Sequence, residues 1–224
     1  MKKTIIVLIA LLFTLITTAQ TEVREVGNFT KLNVVGSFKV LLIDGTAGTV
    51  TIEGDKETIA LIDTKVNDGV LTIKPVNKRN HIFNDVTVKI PFAVLNDVSL
   101  TGSGSITGKK KITNDIKANL IGSGNININV DTKNVGAYTT GSGEIVLNGK
   151  AEKFNCEIVG SGEVKANELQ SSSVTVTVNG SGNAKVYSNK ELTGRINGSG
   201  NIVYTGEPKN TDLKRTGSGE FRGY

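Results

Sequence analysis

The sequence has few of the residues that build cross-links, metal sites and catalytic centres. It contains one cysteine (Cys156), one histidine (His81) and no tryptophan. A single thiol cannot form a disulfide within the chain, and ordinary zinc sites need several His or Cys ligands. A lone histidine supports a Ser-His-Asp system only when its partners converge on it. We therefore predict no catalytic residue, no metal and no cofactor, and we expect Cys156 to be a small buried side chain.

Long hydrophobic runs are also scarce, and the one strong example lies at the N-terminus. Residues 1–19 begin with Lys2 and Lys3, continue through an apolar run and end with Thr17 and Ala19. This pattern predicts a secretory signal peptide cleaved after Ala19. The run is shorter than the ~20 residues of a membrane span, and no later segment is apolar enough to cross a bilayer. We expect an exported protein, in the periplasm, on the outer cell surface or secreted, without a transmembrane segment after cleavage.

Neither sign of charge dominates. After removal of residues 1–19, 24 basic side chains stand against 21 acidic ones, which leaves a net charge of +3. This is too small a charge to predict nucleic-acid binding. The densest basic spot is Lys109-Lys110-Lys111, which we interpret as a solvated turn, with contact to an anionic surface as the alternative.

Glycine, in contrast, is abundant, and much of it belongs to one repeated triplet. Gly-Ser-Gly begins at seven positions separated by 18 to 20 residues, a spacing that indicates a structural repeat. No Gly-Lys-Ser/Thr follows a triplet, so the triplets are not phosphate-binding loops. We predict that their glycines permit corners of the chain. These glycines are Gly102, Gly104, Gly122, Gly124, Gly141, Gly143, Gly160, Gly162, Gly180, Gly182, Gly198, Gly200, Gly217 and Gly219.

Apolar and polar residues alternate on both sides of each triplet. In one unit, Leu120, Ile126 and Ile128 alternate with polar or exposed positions, which is the period of a strand with one buried face. A unit of about 19 residues cannot bury a core alone, but stacked units can. We therefore predict an all-β fold, a single-stranded parallel β-helix (β-solenoid) with ~19-residue turns. Looser polar turns, such as residues 148–153, would join successive units. A propeller blade would need about 40 residues per repeat.

Residues 20–97 alternate in the same way but lack the triplet. Gly36-Ser37-Phe38 resembles a degenerate corner, and residues 55–63 have the apolar spacing of a short helix. We interpret residues 20–97 as irregular first turns that cap one end, with the triplet turns over 98–221, so that 20–224 form one domain. An inward position of the last unit holds Arg215, which predicts the end of the stack.

Several segments of the chain resemble a known family. The chain contains “FTKLNVVGSFKVLLIDG” and “VKIPFAVLNDVSLTGSG”, followed by “GSGNI”, “GSGEI” and “GSGEV”. Together they resemble the head GIN domain family of auto-transporter adhesin type, found largely in Bacteroidetes bacteria. The resemblance covers nearly all of residues 27–221. It implies a right-handed β-helix and an adhesin-like role in the cell envelope.

Two functional hypotheses follow. The first is a non-catalytic binding module whose outer face presents a ladder of side chains to a glycan, a lipid or a protein; oligomerisation stays open. The alternative is a carbohydrate-active β-helix enzyme that acts on an acidic polysaccharide, and it would need clustered acids. Only Glu144 and Glu163 are expected to stack one turn apart, so we favour a protein that is not an enzyme. The predicted ladder comprises Asn119, Tyr138, Glu157, Thr177 and Arg195.

Overall fold

The computed structural model describes residues 20–77 and 85–224. The signal peptide predicted at residues 1–19 and the histidine at position 81 lie outside these ranges. The described residues form seventeen strands and one short helix. The strands are hydrogen-bonded into one continuous sheet that winds around a narrow core.

The strands before the triplets are short. They are β1 (Gln20–Glu25), β2 (Lys31–Val35), β3 (Lys39–Asp44), β4 (Thr49–Gly54), β5 (Ile62–Asn67), β6 (Val70–Pro75) and β7 (Thr87–Phe92). Helix α1 (Lys56–Ile59) lies between β4 and β5, and the Asp55 carboxylate caps it by accepting a hydrogen bond from the Thr58 backbone N–H at 2.9 Å. It is shorter than the predicted segment, residues 55–63.

The triplet region contains longer strands. They are β8 (Asp97–Gly102), β9 (Ser105–Ile112), β10 (Ile116–Gly122), β11 (Asn125–Gly141), β12 (Glu144–Gly160), β13 (Glu163–Gly180), β14 (Asn183–Gly198), β15 (Asn201–Thr205), β16 (Asn210–Thr216) and β17 (Glu220–Gly223).

Strands of successive turns pair in parallel and in register. Gly122 of β10 lies opposite Gly141 of β11, which lies opposite Gly160 of β12. The predicted fold, an all-β parallel β-helix with turns of about 19 residues, is confirmed. Because neighbouring strands lie ~4.8 Å apart, the seven triplets extend over roughly 30 Å of the stack.

The core consists of columns of equivalent side chains, one from each turn. Leu120 lies opposite Thr139, which lies opposite Ile158. Alternate residues of each strand are buried in this way, and the interior is almost entirely apolar, with aliphatic side chains and a few phenylalanines. Cys156 occupies such a position between Ala137 and Val176 and is buried, as predicted.

The two glycines of a triplet are required for different physical reasons. The first has a φ between +111° and +135° at all seven triplets, a region that L side chains rarely adopt. The second has no such φ but lies against the preceding turn. A Cβ added to Gly124 would lie 2.6 Å from the carbonyl oxygen of Gly104. Gly36 belongs to the same column, because a Cβ on Gly102 would lie 2.4 Å from its carbonyl oxygen.

The side opposite the triplets differs from the prediction. Residues 148–153 do not form a loose turn, because β12 passes through them and stays paired with β11 along most of its length. The chain bends here at Gly149, whose φ is +117° and which lies against the carbonyl group of Val130. A glycine at the bend allows the corner to form while the backbone hydrogen bonds of the sheet continue.

The N-terminal turns stack out of chain order. Strand β2 pairs in parallel with β6 on one side and with β8 on the other, and β3 pairs likewise with β7 and β9. The β2–β3 turn therefore lies between the β6–β7 turn and the β8–β9 turn. Strands β1, β4 and β5 make antiparallel pairs with their neighbours at this end.

The last turn carries charge where earlier turns are aliphatic. Arg215 lies opposite Ile196, and its guanidinium donates a hydrogen bond to the carbonyl oxygen of Gly219 at 2.8 Å. Leu213 and Phe221 are partly buried against the core.

Candidate functional site

The outer surface of the strand segments that precede the triplets carries the predicted ladder. We call it the pre-triplet face; it comprises the outward side chains of residues 97–101, 116–121, 135–140, 154–159, 174–179, 192–197 and 210–216. Here strand register places each predicted residue opposite the next, in one column that crosses five turns. The column is Asn119, Tyr138, Glu157, Thr177 and Arg195.

The two ends of this column are already engaged within the protein. Asn119 donates hydrogen bonds of 3.2 Å to Asp97 and Ser99. Arg195 forms an ion pair with Asp212 and also donates to its backbone carbonyl at 2.8 Å. Within residues 20–77 and 85–224, the side chains of Tyr138, Glu157 and Thr177 make no hydrogen bond or ion pair. The middle of the ladder is therefore the part with polar groups open to a ligand.

Tyr138 lies against a position that has no side chain. A Cβ added to Gly136, two residues earlier on β11, would lie 2.7 Å from Cε2 of the Tyr138 ring. Gly136 lies between Lys117 and Asn155 in strand register. Gly136 is buried under the ring, so the ring occupies part of the space between these two long polar side chains and forms one wall of the notch that remains.

The notch opens into a cleft of about 470 Å³ on the pre-triplet face, which we call the Tyr138 cleft. This volume lies within the usual range of small-molecule sites. Its floor includes Ile116 and Val135. Its polar lining consists of Asn96, Asp115, Lys117, Asn134, Tyr138 and Asn155.

The carboxylate of Asp115 is held in a fixed orientation in this lining. It accepts hydrogen bonds from the amide side chain of Asn134 at 2.7 Å, from the Asn134 backbone N–H at 2.9 Å and from the Thr132 hydroxyl at 2.9 Å. These bonds, that of the Asn134 side chain foremost, lower the pKa of Asp115 below its ordinary value. The cleft thus contains a charged acceptor at neutral pH.

Lys117 and Asn155 supply the complementary groups. Both side chains are exposed, and in the part of the chain that the structure describes neither makes a side-chain hydrogen bond or ion pair. The cleft therefore combines an aromatic face, a fixed acceptor, a free ammonium group and a free amide.

Among the residues of this lining, only Tyr138 was a predicted site residue. A signal was present, since the outward position two residues before the ladder holds Lys117, Gly136, Asn155, Thr175 and Thr193 in successive turns. Glycine occurs there once among these five. An outward glycine is not needed for a corner, so it marks a local change of surface shape.

Comparison with known proteins connects this geometry to a family. Residues 28–208 match the family model described as “Putative auto-transporter adhesin, head GIN domain”. The chain belongs to this head GIN domain family. No curated protein is significantly similar to it in sequence.

Solved structures show the same fold. A “putative adhesin” from Bacteroides fragilis superposes with a TM-score of 0.85 at 23% identity, over 92% of this chain and 97% of its own. A “putative adhesin” from Parabacteroides merdae has a TM-score of 0.71 at 18% identity, with 92% and 96% covered. A “putative lipid binding protein” from Parabacteroides distasonis has a TM-score of 0.69 at 24% identity, also with 92% and 96% covered. At these identities the likeness establishes the fold.

The acid pair considered for an enzyme has basic partners in this head GIN domain protein. Glu144 and Glu163 lie opposite each other on the surface that follows the triplets. Lys165 contacts Glu144 directly and lies 3.6 Å from Glu163, and Lys185 lies 3.0 Å from Glu163. The hydrogen bond that the Lys165 ammonium donates to the Glu144 carboxylate raises the pKa of Lys165, so this lysine stays charged. Two such neutralised carboxylates are a surface ion-pair network and do not resemble a cation site.

Cys156 is buried within the core. Burial raises the pKa of the Cys156 thiol, which keeps it protonated and unreactive at neutral pH. Residues 20–77 and 85–224 contain no group of three or more His, Cys, Asp or Glu residues placed to hold a metal ion. In these same ranges no helix is long and apolar enough to span a bilayer.

Proposed function

We propose that this head GIN domain protein is an exported, adhesin-like binding protein of the cell envelope, and that it recognises a glycan in the Tyr138 cleft. The observation that carries the proposal is the Tyr138 ring beside Gly136, flanked by an oriented carboxylate and by free amide and ammonium groups. Family membership and the apolar N-terminal segment support export and a surface role.

The chemistry of the cleft matches the chemistry of a sugar ring. A pyranose has an apolar C–H surface and a rim of hydroxyl groups that both donate and accept hydrogen bonds. The aromatic ring of Tyr138 offers a flat apolar contact for the C–H surface of the sugar. Asp115 can accept from the hydroxyl groups, Lys117 can donate to them, and Asn155 can do both. This combination of a flat apolar wall with a few placed polar groups is typical of a specific ligand site.

We further infer that the cleft binds without turnover. Glycosidases of the usual kind use two carboxyl groups, one of which has a raised pKa and acts as an acid. The described lining of the Tyr138 cleft contains one carboxyl group, Asp115, and its pKa is lowered. A carboxylate held by three donors is a good acceptor for a sugar hydroxyl and a poor general acid at neutral pH.

The experiment is a glycan-array screen with the chain from residue 20, followed by calorimetry on the best glycan. Tyr138→Ala removes the aromatic wall, and Gly136→Thr fills the notch with the residue found at positions 175 and 193. We expect each substitution to weaken binding by roughly tenfold or more, as for other central aromatic contacts. Tyr187→Ala is the matched control, because Tyr187 also lies against a glycine, Gly206, but outside this cleft.

The outcomes separate clearly. Binding that is lost in the two cleft variants and kept in Tyr187→Ala supports the proposal. An array without any bound glycan, or equal affinities for the wild type and Tyr138→Ala, would overturn the assignment of a glycan to this cleft. Release of shortened sugars during incubation would overturn the inference of binding without turnover.

A further inference from the structure

Strand β9 departs from the repeat by two residues. Its pairing with β11 places Ile128 opposite Gly108 but Asn129 opposite Lys111. Lys109 and Lys110 have no partner in this register and bulge out of the sheet. A bulge changes the local direction of a strand and re-aims its side chains. This bulge brings two lysines beside β3, the next strand in the stack on that side.

An apolar groove lies next to the bulge. Leu41 and Ile43 of β3 point outward, Thr107 of β9 lies opposite Leu41, and Ile43 is 40% exposed. The space between them and the bulge measures about 490 Å³, and we call it the β3 groove. Its lining also includes Leu42, Asp44 and the two bulged lysines.

Two of the charged groups at the groove, Lys110 and Asp44, neutralise each other. The Lys110 ammonium contacts the Asp44 carboxylate and donates a hydrogen bond to the Phe92 carbonyl oxygen at 3.1 Å. It also lies 5.0 Å from the centroid of the Phe92 ring, so these contacts hold it in place. Its hydrogen bond lowers the pKa of Asp44, so the pair is a neutral unit at ordinary pH. On the other side of β3, Lys89 of β7 lies opposite Leu41, and its charge is paired with Glu53 at 2.5 Å.

Lys109 differs from Lys110 and Lys89, whose charges are paired. It is exposed, and its side chain has no hydrogen bond or ion pair within the described ranges, 20–77 and 85–224. With Lys110 and Asp44 cancelling, the β3 groove has an apolar wall and one uncompensated positive charge at its rim. A ligand that complements it has a hydrocarbon part and one anionic group.

We propose that the β3 groove binds the acyl chain of a single-chain amphiphile with an anionic head group, such as a free fatty carboxylate. The chain lies along Leu41 and Ile43, and the head group pairs with Lys109. The groove is a recess of about 490 Å³ between β3 and the bulge, a size that suits one monomeric chain better than a bilayer surface. This site is separate from the Tyr138 cleft in residues and in ligand.

Chain length tests the apolar half of the proposal. Octanoate, decanoate and dodecanoate are titrated, below their micelle-forming concentrations, into the chain from residue 20. Each buried methylene contributes about 0.8 kcal/mol, so affinity should rise about fourfold per methylene until the groove is filled. Ile43→Asp should abolish binding. Val159→Asp is the matched control, because Val159 is also 40% exposed but lies on the pre-triplet face.

Head-group charge tests the other half. Dodecanoate should bind several-fold more tightly than dodecyl maltoside, and Lys109→Glu should remove or reverse this preference. Lys150→Glu, at an exposed lysine outside the groove, should leave it unchanged. Affinity that does not depend on chain length, or wild-type binding by Ile43→Asp, would overturn the proposal. Binding to vesicles of anionic phospholipid without binding of the monomers would also overturn it, in favour of a membrane surface.

Discussion

Thr139 is a polar residue in a column of aliphatic side chains, and its replacement tests the description of the core. The residues opposite it in the adjacent turns are Leu120 and Ile158. Thr139 is 2% exposed, and its Oγ1 is the one buried side-chain oxygen or nitrogen in the described part of the chain that has no hydrogen-bond partner. We predict that Thr139→Val stabilises the protein.

The magnitude follows from two opposing effects. An unsatisfied buried hydroxyl costs about 1–3 kcal/mol relative to a group without hydrogen-bonding needs. A methyl group in its place is slightly larger, and this side of Thr139 faces Gly162, where an added Cβ would lie 3.1 Å from Oγ1. Tight packing removes part of the gain. We expect the free energy of unfolding to rise by about 1–2 kcal/mol, which corresponds to a Tm increase of roughly 2–8 °C for a domain of this size.

The assay is urea denaturation followed by far-ultraviolet circular dichroism, together with calorimetry, on the chain from residue 20. Thr140→Val is the matched control, since Thr140 is the next residue and is exposed. This control should change stability by no more than about 0.5 kcal/mol. A Thr139→Val protein that is less stable than the wild type would refute the reasoning, because it would mean that the packing cost or a partner of the hydroxyl outweighs the cost of the unsatisfied group.

Two further predictions concern the corner and the acid dependence of stability. Gly124→Val should lower the free energy of unfolding by about 1–3 kcal/mol or more, since its Cβ would lie 2.6 Å from the Gly104 carbonyl oxygen, whereas Ser123→Ala in the same triplet should be nearly neutral. A Gly124→Val protein that unfolds at the wild-type urea concentration would contradict the corner geometry. Asp115→Asn should be less stable than the wild type at pH 7. Because the folded pKa of Asp115 is lowered, its contribution is present above the unfolded value of 3.8 and is lost as the pH falls through the folded pKa. The two urea midpoints should therefore converge in acid, and a constant difference from pH 7 downward would contradict the hydrogen-bonded carboxylate.

The repeat was predictable because the backbone demands it. At the first triplet position the φ of the chain is positive, and at the second an added Cβ would meet the carbonyl group of the previous turn. Both demands recur at every turn and only glycine meets them, so the pattern is visible in the sequence. The alternation at Leu120, Ile126 and Ile128 follows as directly, because each faces the same narrow core.

The order of the N-terminal turns could not be predicted in this way. Periodicity shows which side chains of β2 face inward, but it is the same whether β2 lies beside β6, β8 or both. The same limit applies to the bend at Gly149. A single glycine in a polar segment is typical of a loose turn, and the continuous pairing of β12 depends on its neighbours in the stack.

Both proposed sites arise where one turn differs from its neighbours at positions that the core does not use. Gly136 removes an outward side chain and opens the Tyr138 cleft, and Lys109 and Lys110 add two residues and form the edge of the β3 groove. In a β-helix the inward residues and corner glycines carry the stability of the stack, whereas an outward residue or a bulge can change at little cost. Departures from the repeat on the outer surface are therefore better guides to binding than the repeat itself, and the glycines that first draw attention belong to the scaffold.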